Sequence, residues 1–91
     1  MIKNEQILKC VEAAKRYGAK RRVLFGSAAE DPANARDIDL ICEGVEGAAF
    51  FSMGAEMDNE TLTSVDIVPV PPLTRFAKYN LARGKVLHES R

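Results

Sequence analysis

A chain of 91 residues can bury one modest core and leaves no room for a second domain, and its 46% hydrophobic and 29% charged residues are the balance of a soluble globular protein. Thirteen basic residues offset thirteen acidic ones, so no global field draws the chain to nucleic acid or to an anionic membrane. The N-terminus lacks the apolar core of a signal peptide, no run approaches the roughly 18 apolar residues of a membrane span, and Cys10 and Cys42 stand in no metal or disulfide spacing. A single cytoplasmic domain with two buried free thiols, no zinc and no disulfide framework is expected. In that compartment the sequon Asn59-Glu60-Thr61 has no use.

The first element is a helix. Asn4 is a favourable N-cap, Glu5 suits the first turn, and Ile7, Leu8, Val11 and Ala14 recur at helical spacing until Tyr17, with Gly18 as the C′ residue. The stripe predicts about fourteen helical residues covering one face of a sheet, with the Lys15 stem along its edge and Arg16 pointing to solvent. Lys20-Arg21-Arg22 reads as a solvated strand entry.

Val23-Leu24-Phe25 is short, apolar and partly β-branched, the pattern of a buried strand, and it stops at Gly26, which can take dihedrals closed to other residues. Gly26-Ser27 at a strand end, ahead of Ala28-Ala29-Glu30 as a first helical turn, offers N–H groups and a hydroxyl to an anion, phosphate above all. The loop Glu30–Arg36, with Pro32 and Asn34, returns the chain to a second strand over about Ile38 to Cys42. In Asp37-Ile38-Asp39-Leu40-Ile41 the strand period of two puts both carboxylates on one face and Ile38 and Leu40 on the other. Like charges so close need a cation or a basic group, and hard divalent cations such as Mg²⁺ prefer carboxylate oxygens. A phosphate cradle beside a carboxylate pair points to metal-dependent phosphoryl chemistry.

From Val45 to about Asp58, Phe50, Phe51, Met53 and Met57 predict a helix with a core stripe, in which Gly47 and Gly54 mark close packing on the sheet. Thr63–Val68 is a β-rich run, and Asp66 within it is explained in isolation by an edge position open to water. Pro69, Pro71 and Pro72 end that strand. Leu73, Phe76, Ala77, Asn80 and Leu81 then predict a helix closed by Gly84, and Lys85–Glu89 a short edge strand on which His88 is exposed and has no second metal ligand nearby in sequence. Strands near 22–26, 37–42, 63–68 and 85–88 make an α/β (α+β) domain, a mixed sheet of about four strands with helices mainly on one face.

Gly26-Ser27 followed, after nine residues, by Asp37-Ile38-Asp39 resembles the signature of the nucleotidyltransferase superfamily that includes DNA polymerase β. The small size is similar to that of the minimal nucleotidyltransferases of prokaryotes, often encoded beside a helical HEPN-type partner, and the likeness runs from about Val23 to His88. The resemblance implies the nucleotidyltransferase fold, with Asp66 as a third carboxylate converging with Asp37 and Asp39 on two Mg²⁺ or Mn²⁺ ions. It implies that Gly26 and Ser27 hold the β and γ phosphates of a nucleoside triphosphate, ATP first, and that AMP passes to an acceptor hydroxyl. Lys20-Arg21-Arg22 gains a second reading as a face toward that triphosphate. The chain is too short to enclose an acceptor, so a HEPN-type toxin carrying a tyrosine hydroxyl, or a second copy in a homo-oligomer, is expected to complete the pocket, with the protein acting as an antitoxin. Glu30 stands where many relatives carry a basic residue, and Arg36 where they carry Ser, which points to weak nucleotide binding. The alternative is a nucleotidyltransferase-like protein that neutralises its partner by contact alone.

Overall fold

A computed structural model describes residues 1–89 of the chain, with side chains through residue 87, so the reading of the His88 side chain lies outside the described residues. Helices and strands alternate as α1 (Asn4–Arg16), β1 (Arg21–Phe25), α2 (Ser27–Glu30), β2 (Asp37–Glu43), α3 (Ala48–Thr61), β3 (Ser64–Val70), α4 (Arg75–Arg83) and β4 (Lys85–Glu89). The strands form one sheet in the order β3-β2-β1-β4. β1 runs antiparallel to both β2 and β4, while α3 carries the chain back so that β3 lies parallel to β2. The sheet is therefore mixed and the domain α+β.

Period-two alternation sorts the strand side chains onto two faces. Leu24, Ile38, Leu40, Cys42 and Val65 meet α1 and α3 in the larger core, whereas Val23, Phe25, Ile41 and Val70 meet Ala77 of α4 on the opposite face. Three of the four helices thus contribute to one side and α4 covers the other. Among the described residues no helix is long and apolar enough to cross a membrane.

Several local expectations are corrected by packing. Helix α1 is capped by Lys3 rather than Asn4, the Lys3 N–H donating to Gln6 Oε1 at 2.7 Å. Its inner stripe is Cys10, Ala13 and Ala14, small residues that let the helix approach the sheet closely, while Leu8 is 54% exposed. Helix α3 begins at Ala48 because Gly47, at φ 62°, is its N-cap and not an interior residue. Within it Met53 and Met57 are fully buried, but Phe51, one residue round the helix from the half-buried Phe50, is 76% exposed. β3 continues through Pro69 to Val70, because it is an edge strand and a strand paired on one side uses only alternate N–H groups.

The basic cluster is corrected most. Arg22 is only 2% exposed and donates to the carbonyls of Val11 at 2.7 Å and Ala19 at 3.4 Å, tying the end of α1 to the sheet. Arg21 Nε lies 2.9 Å from Glu43 Oε2 across the β1–β2 rung. Neither arginine is a solvated strand entry, and both sit at the end of the sheet away from Asp37 and Asp39. Cys10 and Cys42 are buried and free, their thiols pushed up to about 12 chiefly by that burial, which holds them protonated.

Candidate active site

The site is built where β1 ends. Gly26 leaves the strand at φ 70° and ψ −153°, a conformation L side chains rarely adopt, and a Cβ there would stand 2.7 Å from Asp39 Oδ2. Two independent constraints therefore require glycine at this position, and the second puts the turn against a carboxylate. Ser27 opens α2, and the N–H groups of Ala29 and Glu30 turn back to the Gly26 carbonyl at 3.1 and 3.2 Å. Helix geometry leaves the N–H groups of Ser27 and Ala28 without an intrahelical acceptor; Ser27 is exposed, whereas Ala28 is buried in the core.

The acids come from neighbouring strands. Antiparallel pairing sets Asp39 opposite Phe25, one residue before Gly26, and parallel pairing sets Asp66 opposite Asp39 and Ser64 opposite Asp37. Alternation then turns Asp37, Asp39 and Asp66 to the same face of the sheet, the one on which Val23, Phe25 and Ile41 meet α4. Since β3 is an edge strand, the exposure of Asp66 by itself needs no function; its register opposite a second aspartate is what sets it apart. Burial raises the Asp39 carboxyl above the ordinary carboxylate range, reinforced by the negative charges of Asp66 and Asp37 and by a side-chain hydrogen bond with Asp66.

Asp39 and Asp66 stand as an interacting pair, with Asp37 two residues back at the exposed start of β2. Among the described residues no group of three or more His, Cys, Asp or Glu side chains is arranged to hold a metal ion, so the expected three-way convergence is not formed by the side chains as they stand. The donor set nevertheless suits a hard divalent cation: it is all carboxylate oxygen, on one face, and under like-charge repulsion that Mg²⁺ or Mn²⁺ would relieve.

The sequence reading of α4 as a helix closed by Gly84 did not anticipate that it forms one wall of a cleft. A cleft of about 150 Å³ runs beside the turn, with Gly26, Ala29 and Glu30 on one wall and Tyr79, Asn80 and Arg83 on the other. Phe76 packs edge-on against Phe25 with ring centroids 5.7 Å apart, fixing α4 beside the end of β1. Gly84 lets the same helix press down, since a Cβ there would meet Val23 Cγ1 at 2.5 Å and the Leu24 carbonyl oxygen at 2.7 Å. The Arg83 guanidinium lies 4.6 Å from the centroid of the Tyr79 ring. The spacing of Tyr79 and Arg83, one helical turn apart and off the apolar stripe, was the available signal in the sequence.

No family model matches the chain, and no curated protein is significantly similar to it.

Proposed function

We propose that the protein has the nucleotidyltransferase fold and moves a nucleotide monophosphate, AMP in the first instance, from a nucleoside triphosphate to an acceptor hydroxyl. One observation carries this reading: Asp39 faces Asp66 across a parallel rung while the Gly26 turn lies against the Asp39 carboxylate. A phosphate-sized anion at Ser27 and a cation on the acids would then be neighbours.

In this reading Asp37, Asp39 and Asp66 hold Mg²⁺ or Mn²⁺, and the N–H groups and hydroxyl at Gly26-Ser27 hold the β and γ phosphates. When bound, the metal supplies Lewis-acid activation of a hydroxyl and neutralises charge on the triphosphate. Asp66, exposed at the sheet edge, orients the acceptor. The acceptor hydroxyl gives up its proton to solvent, its oxygen bonds to the α-phosphorus, and the bond from that phosphorus to the bridging oxygen breaks with its electron pair leaving on pyrophosphate. Acceptor binding falls to another chain, a HEPN-type helical toxin presenting a tyrosine hydroxyl or a second copy of this protein, and the modified toxin is silenced.

Labelled ATP with Mg²⁺, offered to the protein alone and with the product of the neighbouring gene, tests the proposal. Label on the partner, lost with Asp39→Asn, is the expected result; wild type that binds no nucleotide and transfers none overturns it. A second reading, neutralisation by contact alone, is favoured by Glu30 on the wall of the cleft, where its charge opposes a triphosphate. An Asp39→Asn variant that still silences the partner, with no adduct from wild type, selects that reading.

A further inference from the structure

We infer that Arg83, held over Tyr79 at the end of α4, is the residue that takes the phosphate charge of the bound nucleotide; the inference rests on the nucleotidyl-transfer reading and names a group in the same site. Arg83 lines the cleft whose opposite wall is Gly26 and Glu30, and Gly26 in turn lies against Asp39 Oδ2. An anion in the cleft is therefore next to the acid pair. Such an anion meets one carboxylate, Glu30, and among the described lining residues one cation, Arg83.

Among the described residues no hydrogen bond or ion pair commits the donors of Arg83, unlike those of Arg16, Arg21 and Arg22, and Arg36 and Arg75 do not line the cleft. Arg16 is paired with Glu56 and Glu60, Arg21 with Glu43, and Arg22 donates to two backbone carbonyls. The contact of Arg83, among the described residues, is with the face of the Tyr79 ring, and it makes no ion pair. Contact with a ring face leaves the N–H groups of a guanidinium free to donate. A planar fork across the cleft from Gly26 can meet phosphate oxygens bidentately, which a lysine at the same place could not do. The competing role for Arg83 is to offset the carbonyl dipoles of the last turn of α4, where it is the basic residue. That role affects helix stability and is indifferent to ligand.

Calorimetry with ATP and with inorganic tripolyphosphate, both in Mg²⁺, separates these cases. Arg83→Gln is expected to weaken both ligands by roughly tenfold or more, the scale of losing a charge-assisted hydrogen bond, with little change in melting temperature. Glu30→Gln should tighten both. Wild type that binds both ligands, with Arg83→Gln unchanged, overturns the inference and leaves nucleotidyl transfer standing. Loss of ATP affinity with tripolyphosphate unaffected would assign Arg83 to the base or ribose and also overturns it. Wild type that binds neither ligand removes the nucleotidyl-transfer reading and the inference together.

Discussion

The two ends of the β1–β2 pair handle charge in opposite ways. At one end Arg21 meets Glu43 on the same rung, and Arg22 is buried with its two terminal nitrogens on carbonyls and its Nε without a partner, so both cations are held by groups of the chain itself. At the other end the Phe25 rung sets Asp39 against a second aspartate and a glycine turn, and Arg83, the basic residue of the neighbouring cleft, lies across from Gly26 and Glu30. A fold can neutralise its own charges where it only has to be stable. Where like charges are kept together on one face, the compensation is left to come from outside, which is what a site for a cation and a phosphorylated substrate requires.

The strongest way to break this contrast is Asp39→Asn. Under the proposed function it removes a ligand for the metal and should lower Mg²⁺-dependent transfer by about a thousandfold or more, since metal activation supplies several kcal/mol of the barrier. The same change removes a repelled charge, so the melting temperature of the metal-free protein should hold or rise. A variant that melts lower than wild type would mean that Asp39 stabilises the fold, and the two ends would no longer differ.

Next in size is Gly26→Ala, which forces a side chain into φ 70° and against Asp39 Oδ2, and should cost about 2–3 kcal/mol in denaturant unfolding. In an Asp39→Ala background the clash is gone and only the dihedral cost remains, about 1 kcal/mol, so the two substitutions should be non-additive. Additive losses would show that the turn and the carboxylate do not touch.

Arg22→Met probes the compensated end. It keeps much of the buried stem but leaves the carbonyls of Val11 and Ala19 without their donor, a loss of roughly 1–3 kcal/mol, with no effect on metal or nucleotide binding. Equal or higher stability would indicate that desolvation of the guanidinium, which lowers its pKa, outweighs the two hydrogen bonds.

The smallest effect is in the pH dependence. The Asp39 carboxyl is raised in the folded state, so between the ordinary carboxylate range and that raised value the native protein holds more protons than the unfolded chain. Stability from this group is thus fully present at low pH and is lost as pH rises through the folded value. Melting curves of metal-free protein across mildly acidic pH should show this decline against the same scan of Asp39→Asn. Saturating Mg²⁺ should recover the lost melting temperature at neutral pH, and indifference to Mg²⁺ and Mn²⁺ alike would count against a cation at the acids.

Residues whose roles depend on neighbours in sequence were legible without coordinates. Gly26 at the end of an apolar run, Asp37 and Asp39 two apart in a strand, and Gly84 past a helical stripe each follow from local periodicity and backbone freedom, and the four strand segments lie within two residues of where the pattern placed them. What neighbours in sequence cannot decide is which segments meet. The burial of Arg22 depends on α1 and the turn after it crossing the sheet where the carbonyls of Val11 and Ala19 accept from it, and the passage of β3 through Pro69 depends on that strand lying at an edge. The facing of Asp39 and Asp66 needed the parallel register that α3 imposes, since a shift of one residue would have turned Asp66 into the core. Arg83 reached the cleft only because Phe76 and Gly84 dock α4 on the thinner face of the sheet. Periodicity along the chain assigned each side chain to a face, and long-range packing alone selected its partner across the gap.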